Sequence, residues 1–271
     1  MNLFNVENKV ILITGGGGVL GGQMASYLLT NKATVIILDY KEDIVDVAVN
    51  KLQKISTKVD GFVCNALNEK SLQDVSDSII KKHDKIDVLI NAAGGNMPGA
   101  TIGVDQTIFD VNIDHFKKVV DLNLFGSILP ALVFGKEMVK SKKGVIINIS
   151  SMTAQSAITR VVGYSASKAA IDNFTKWLAV ELALKFGEGL RVNAIAPGFF
   201  IGNQNRDLLI DKTTGSYTER GDTIIRNTPM KRFGKAEELN GTIHYLCSEA
   251  SKFVTGVVLP IDGGFSAFSG V

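Results

Sequence analysis

Apolar positions follow two alternating rhythms along this chain. Short continuous apolar runs end in glycine, asparagine or aspartate: KVILITG, ATVIILDY, TKVDGFVCN, KIDVLINAAGG, GVIINIS, GLRVNAIAPG and VTGVVLPIDGG. Their length and bounding residues read as strands buried on both faces. Between them the apolar residues recur at helical spacing. EDIVDVAVNKLQKIS is amphipathic, and NEKSLQDVSDSIIKKH repeats Leu72, Val75, Ile79 and Ile80. DHFKKVVDLNLFGSILPALVFGKEMVK reads as one long helix, and a further helix carries Tyr164 and continues as AAIDNFTKWLAVELALKF. KAEELNGTIHYLCSEAS is a helix before the last strand, and FSAFSGV is an apolar tail. Strands alternating with helices predict an α/β fold, a doubly wound parallel sheet of about seven strands with helices on both faces. Two stretches break the rhythm. Residues 95–112 read as a long loop, and 199–230, rich in Gly, Thr and Asn, as a mobile substrate cover. With no repeat, linker or second boundary, residues 1–271 are expected to form a single domain.

In such sheets the ligand lies outside the carboxyl ends of the strands. The first strand runs into Gly15 to Gly18, followed by Val19, Leu20, Gly21 and Gly22. Strand, glycine turn and helix in that order make an anion site, because backbone N–H groups and the positive helix end can face a pyrophosphate. Gly16-x-Gly18-x-x-Gly21 fits the dinucleotide spacing of a Rossmann-type fold. The second strand ends in Asp39, about 20 residues on, where a carboxylate accepts from both ribose hydroxyls and repels a 2′-phosphate. That favours NAD over NADP, with Lys41 as the one nearby cation that argues the other way. Asn65, the run Asn91 to Gly94, and Ser151 also fall at strand ends.

SMTAQSAITRVVGYSASK, from Ser151 to Lys168, carries the candidate chemistry. Tyr164 and Lys168 are four apart, about one turn (~6 Å) along one helix face. A phenol beside an ammonium makes a proton donor and acceptor, and Ser151 can converge with them on one substrate oxygen. Asn123 sits within an apolar stretch and needs a partner. It is either a satisfied structural amide or an Asn that distorts its helix and holds a water near Lys168.

Composition narrows the partners. The chain has 271 residues, 45% hydrophobic and 21% charged, with net charge +2, which offers no electrostatic signal for nucleic acid or a membrane surface. No apolar run is expected to span a bilayer, and MNLFNVENKV lacks a secretory pattern. Cys64 and Cys247 are too few for a disulfide framework, and His83, His115 and His244 are too scattered for a metal site. A cytoplasmic protein without a metal is expected.

Taken together, Thr14-Gly15, Asn91-Ala-Ala-Gly, Asn123, Ser151, Tyr164-x-x-x-Lys168, Pro197-Gly198 and Asp262-Gly-Gly resemble the short-chain dehydrogenase/reductase family along essentially the whole chain. Within it, ITGGGGVLGG, NAAGGN, NISSM, APGFF, QNR, TPMKRFG and FVTGVVLPIDGGFSAFSGV are similar to the D-mannonate oxidoreductase (fructuronate reductase) branch. The resemblance implies an NAD-dependent oxidoreductase, with Tyr164 as acid and base, Ser151 on the substrate oxygen, and Asn123 relaying protons through water to Lys168. Lys168 and a positive nicotinamide ring would bring the Tyr164 pKa down toward neutrality. Cofactor contacts would come from Gly15, Gly17, Gly18, Val19, Leu20, Asp39, Asn65, Ala66, Asn91, Ala92, Gly94, Tyr164, Lys168, Pro197 and Gly198. Asn96, Arg160, Gln204 and Arg206, with Ser151 and Tyr164, are the substrate candidates, and Arg232 is expected to be structural. Three positions depart from the family pattern: Val19 replaces a glycine, Asn65 an aspartate and Gly202 a threonine. The same chemistry on a ketogluconate, a sugar alcohol or a ketoacyl thioester stays open, as does a non-catalytic dinucleotide-binding sensor. The resemblance also implies a small-molecule substrate and a homotetramer.

Overall fold

In the computed structural model, which describes residues 2–202 and 205–270, the seven apolar runs become one sheet. The strands are β1 (Val10–Thr14), β2 (Thr34–Asp39), β3 (Val59–Val63), β4 (Val88–Asn91), β5 (Gly144–Ile149), β6 (Leu190–Pro197) and β7 (Val258–Ile261). They lie in the order β3-β2-β1-β4-β5-β6-β7, every neighbouring pair parallel. Parallel strands need crossover helices, which cover both faces, and β1, β4 and β6 are accordingly buried at every position. Side-chain alternation divides β1 between two cores. Ile11 and Ile13 join α1 (Val19–Thr30), α2 (Glu42–Gln53) and α9 (Asn240–Cys247) on one face. Val10 and Leu12 join α3 (Glu69–His83), α5 (Gly126–Ser141) and α6 (Val162–Phe186) on the other. Strand order reverses between β1 and β4, whose ends align Thr14 with Asn91. That reversal opens a crevice at the carboxyl ends.

Two expectations need correction. The long helix after residue 112 is broken into α4 (Ile113–Val120), a π turn (Asp121–Phe125) and α5. Asn123 is the cause we identify: its amide donates to the Val119 carbonyl one turn back and reaches across to Gly95, diverting the regular ladder. Secondly, Ile113–Ser141 is long and apolar enough, by length and composition alone, to cross a membrane. Half of its most apolar window is packed inside the protein, as in a core helix.

The 199–230 stretch carries α7 (Arg206–Leu209) and α8 (Glu219–Asn227), with their own small apolar cluster of Leu209, Ile224 and Phe233. Loop 95–112 contains two short 3-10 turns, Pro98–Ala100 and Ile108–Asp110.

Candidate active site

At the switch point β1 turns through Gly15, whose φ is +63°, a left-handed conformation costly for a side-chain-bearing residue. A Cβ there would stand 2.8 Å from the Ala93 Cα, and one on Gly21 would stand 2.5 Å from the Gly15 carbonyl oxygen. The turn closes through the Gly18 N–H on the Gly15 carbonyl at 3.0 Å. α1 starts at Val19 and Leu20 with no capping side chain, so its first-turn N–H groups remain available at a positive helix end. Asp39, 9% exposed, stands at the edge of this cradle. Its carboxylate accepts from the Gly17 N–H at 3.1 Å and the Tyr40 N–H at 2.9 Å. Lys41 turns to the Tyr40 ring, 5.2 Å from its centroid. A cradle free of side chains, a bare helix N-terminus and a fixed carboxylate fit a pyrophosphate with an adenosine ribose.

The other expected cofactor residues divide. Asn65 is exposed and its side chain accepts from the Leu67 N–H at 2.9 Å, leaving half-buried Ala66 beside it. Asn91 is turned into the fold. Its amide donates to Asn148 Oδ1 at 2.9 Å and the Ser127 carbonyl at 3.2 Å, while Asn148 donates to Thr175. What Asn91 offers the crevice is therefore the backbone leading to Ala92 and Gly94. Gly198, after Pro197, is required where β6 leaves the sheet: a Cβ would stand 2.7 Å from the Asp262 Cα. The Gly202 N–H is occupied by Asn205 Oδ1 at 2.8 Å.

α6 puts Tyr164, Lys168 and Asp172 on one face at four-residue steps. Lys168, 3% exposed, donates to the Ile149 carbonyl at 2.7 Å, and its nitrogen lies 5.4 Å from the Tyr164 ring centroid. Burial brings the ammonium pKa down to about 8, against the pull of the Asp172 carboxylate. Ser151, 6% exposed, lies just after β5 and accepts from the Thr153 N–H at 3.2 Å. The Tyr164 pKa is raised. Burial favours the neutral phenol and outweighs the hydrogen bond from Ser151. Asp172, missed in the sequence, accepts a short hydrogen bond from the Ser150 hydroxyl. The repeated four-residue step after Lys168 was its available signal.

Asn123 combines the paired amide of one alternative with the helix distortion of the other. Its Oδ1 accepts from the Gly95 N–H at 3.0 Å, and its Nδ2 donates to the Gly95 carbonyl at 2.7 Å and the Val119 carbonyl at 2.8 Å. A Cβ on Gly94 would stand 2.7 Å from Asn123 Oδ1 and 3.5 Å from the Lys168 nitrogen, so Gly94 is where the two side chains meet the backbone.

Among the substrate candidates, Asn96 donates to Thr101 Oγ1 at 2.7 Å and keeps a buried Oδ1 without a partner. Arg160 donates through Nε to the Ile102 carbonyl at 2.6 Å. Arg206 opens α7 and is exposed. Gln204 lies outside the described residues. Arg232 pairs with Glu238 at 2.6 Å, and this partner holds the Glu238 carboxyl down to about 2. Arg220 on α8 reaches Thr159, and nothing in its local sequence marks it.

Lys168 makes one consequence measurable. Below about pH 8 both folded and unfolded chains carry its charge; between about 8 and 10.5 the folded chain loses the proton first. Stability should therefore rise with pH through that window. Relative to Lys168→Met, wild type should gain about 3 kcal/mol by urea denaturation across it. An unchanged difference between the two proteins would contradict the buried-ammonium assignment.

Comparison with known proteins agrees with this geometry. Residues 18–266 match the family described as enoyl-(acyl carrier protein) reductase. A Haemophilus influenzae protein with bound NAD, carrying the provisional name D-mannonate oxidoreductase, superposes with a TM-score of 0.91 at 44% identity, covering 98% of each chain. The uncharacterized oxidoreductase UxuB of Bacillus subtilis is 43% identical over 98% of both chains. The 3-oxoacyl-[acyl-carrier-protein] reductase FabG of Thermotoga maritima is 33% identical over 96% of this chain and 98% of its own. With the parallel sheet, the glycine turn and the Ser-Tyr-Lys arrangement already in place, the chain belongs to the short-chain dehydrogenase/reductase family, oxidoreductases acting on CH–OH groups.

Proposed function

We propose that this chain is an NAD-dependent oxidoreductase transferring a hydride between nicotinamide and the carbonyl or secondary alcohol of a sugar acid, with D-fructuronate and D-mannonate as the pair. The carrying observation is the convergence of Ser151, Tyr164 and Lys168 beside a glycine cradle edged by Asp39.

Gly15, Gly17, Gly18, Val19 and Leu20 hold the pyrophosphate, and Asp39 the adenosine ribose. Asn65 and Ala66 border the adenine. Ala92, Gly94, Pro197 and Gly198 border the nicotinamide half, with Lys168 on its ribose. Once bound, NAD(H) supplies or accepts the hydride at C4, and its oxidised ring adds a positive charge. In reduction, the neutral phenol of Tyr164 gives its proton to the carbonyl oxygen, while the Ser151 hydroxyl donates to that same oxygen. In oxidation the proton returns by the same path. Lys168 supplies the charge that stabilises the phenolate between these events. Asn123 fixes the Gly94–Gly95 backbone against Lys168, which places any relay water without requiring the Asn123 side chain to hold it.

Support for a sugar acid comes from Asn96, whose buried Oδ1 lacks a partner, and from arginines at the cover. The provisional name of the Haemophilus relative points the same way. A ketoacyl thioester reductase using NADPH is disfavoured by Asp39. One continuous sheet supports a single domain, and the free buried thiols Cys64 and Cys247 fit a cytoplasmic setting. Exposed Leu132, Trp177, Val180 and Leu184 on α5 and α6 give a homotetramer its packing faces.

Initial rates with D-fructuronate and 5-ketogluconate, each with NADH and NADPH, test the reading. D-fructuronate with NADH should be the fastest pair. In Asp39→Ser the NADH-to-NADPH ratio of kcat/KM should fall by about tenfold or more, the scale of one lost charge-assisted hydrogen bond. A ratio that stays put would remove Asp39 from cofactor choice.

A further inference from the structure

We infer that Arg160 and Arg220 together form the seat for the substrate carboxylate, a two-guanidinium site that deepens the sugar-acid reading and rests on it. The two residues come from different parts of the chain. Arg160 lies between Ser151 and Tyr164, four positions before the phenol. Arg220 belongs to α8 in the cover, and its Nη1 and Nη2 lie 3.4 Å from the hydroxyl and carbonyl of Thr159, the neighbour of Arg160. Contacts of that length barely hold a guanidinium, so most of its donors stay free.

Arg160 is fixed more firmly. The Ile102 N–H donates to the Arg160 carbonyl at 3.0 Å, and Arg160 Nε returns a bond to the Ile102 carbonyl at 2.6 Å. Its backbone adopts φ +76°, a conformation that non-glycine residues hold only where the surroundings impose it. Among the described residues, its two terminal nitrogens have no hydrogen-bond partner.

The charge balance is the decisive feature. Among the described residues no carboxylate lies within 4 Å of either guanidinium, although Arg232 and many lysines have found one. Glu219 and Asp222 flank Arg220 on α8 and pair with neither arginine. Both arginines meet at Thr159, and burial, and next the Arg160 charge, hold the Arg220 guanidinium below its ordinary range. Half-buried like charges without a counterion are unfavourable, and an anion between them reverses the sign. The planar donor forks match a carboxylate, which can accept two bonds from each. A neutral sugar or polyol offers no such group.

Calorimetric titration of D-mannonate, with D-gluconate and D-mannitol in parallel, into the NADH-bound enzyme tests the seat without turnover. Arg220→Gln should weaken D-mannonate binding at least tenfold and leave D-mannitol binding as in wild type, while Arg220→Lys keeps an intermediate affinity. Melting without sugar should match wild type for Arg220→Lys and be no lower than wild type for Arg220→Gln, which relieves the repulsion, and if Arg220→Gln fails to fold, the Lys variant and Arg160→Lys carry the test. Unchanged D-mannonate binding in the variants, with D-fructuronate still reduced, would overturn the seat and spare the substrate reading. The expected loss of binding in an enzyme that does not reduce D-fructuronate would keep the seat and remove that substrate. If wild type binds neither acid, both fall.

Discussion

Replacing Tyr164 by Phe should lower kcat by about 10² to 10⁴-fold, the range for loss of a positioned general acid–base, while NADH binds as in wild type. The change removes one oxygen and keeps the ring that packs against Lys168, so the fold has no reason to move. Burial already holds the phenol neutral in the unliganded site. Tyr164 is thus ready as a proton donor in the reducing direction, whereas the oxidising direction needs the added positive charge of the bound cofactor. Phe supplies neither function. Turnover of the variant within tenfold of wild type, measured by NADH consumption at saturating substrate, would transfer the proton step to another group.

Gly21→Ala should cost at least tenfold in NADH affinity, although it adds a single methyl. That methyl would stand 2.5 Å from the Gly15 carbonyl oxygen and 3.0 Å from the Gly16 Cα, both backbone atoms of the cradle. Relief requires the turn to open, at a cost of about 1–3 kcal/mol for overpacking of this kind. Gly22→Ala is the matched control, because its Cβ meets nothing closer than the Gly16 carbonyl oxygen at 3.5 Å. Fluorescence titration with NADH should separate the two. Equal affinities would mean that the glycine turn does not shape the cofactor site.

The central strands were legible because a parallel sheet buries both of their faces, which leaves continuous apolar runs. Tyr164 and Lys168 were legible because helical spacing alone puts them on one face. What escaped depends on contacts between distant residues. The π turn arises from Asn123 bonding to Gly95, 28 positions away, so a helical pattern on both sides of it concealed the break. Asn91 reads as a crevice residue from its place at a strand end, yet Asn148 and Ser127 draw its amide into the fold. The upward push on the Tyr164 pKa comes from desolvation, which no sequence pattern displays and which exceeds the help of the neighbouring hydroxyl. Arg220 meets the Arg160 loop only through the packing of α8, so local pattern carried no trace of it.

The most direct test of the account follows the hydride itself. The enzyme is incubated with D-fructuronate and NADH dideuterated at C4, and the product is examined by mass spectrometry. The product should be D-mannonate carrying a single deuterium on the newly formed carbinol carbon, with almost none from Tyr164→Phe over the same time. Consumption of NADH without deuterium in the sugar acid, or undiminished labelling in the variant, would contradict hydride transfer at the Ser151–Tyr164–Lys168 site.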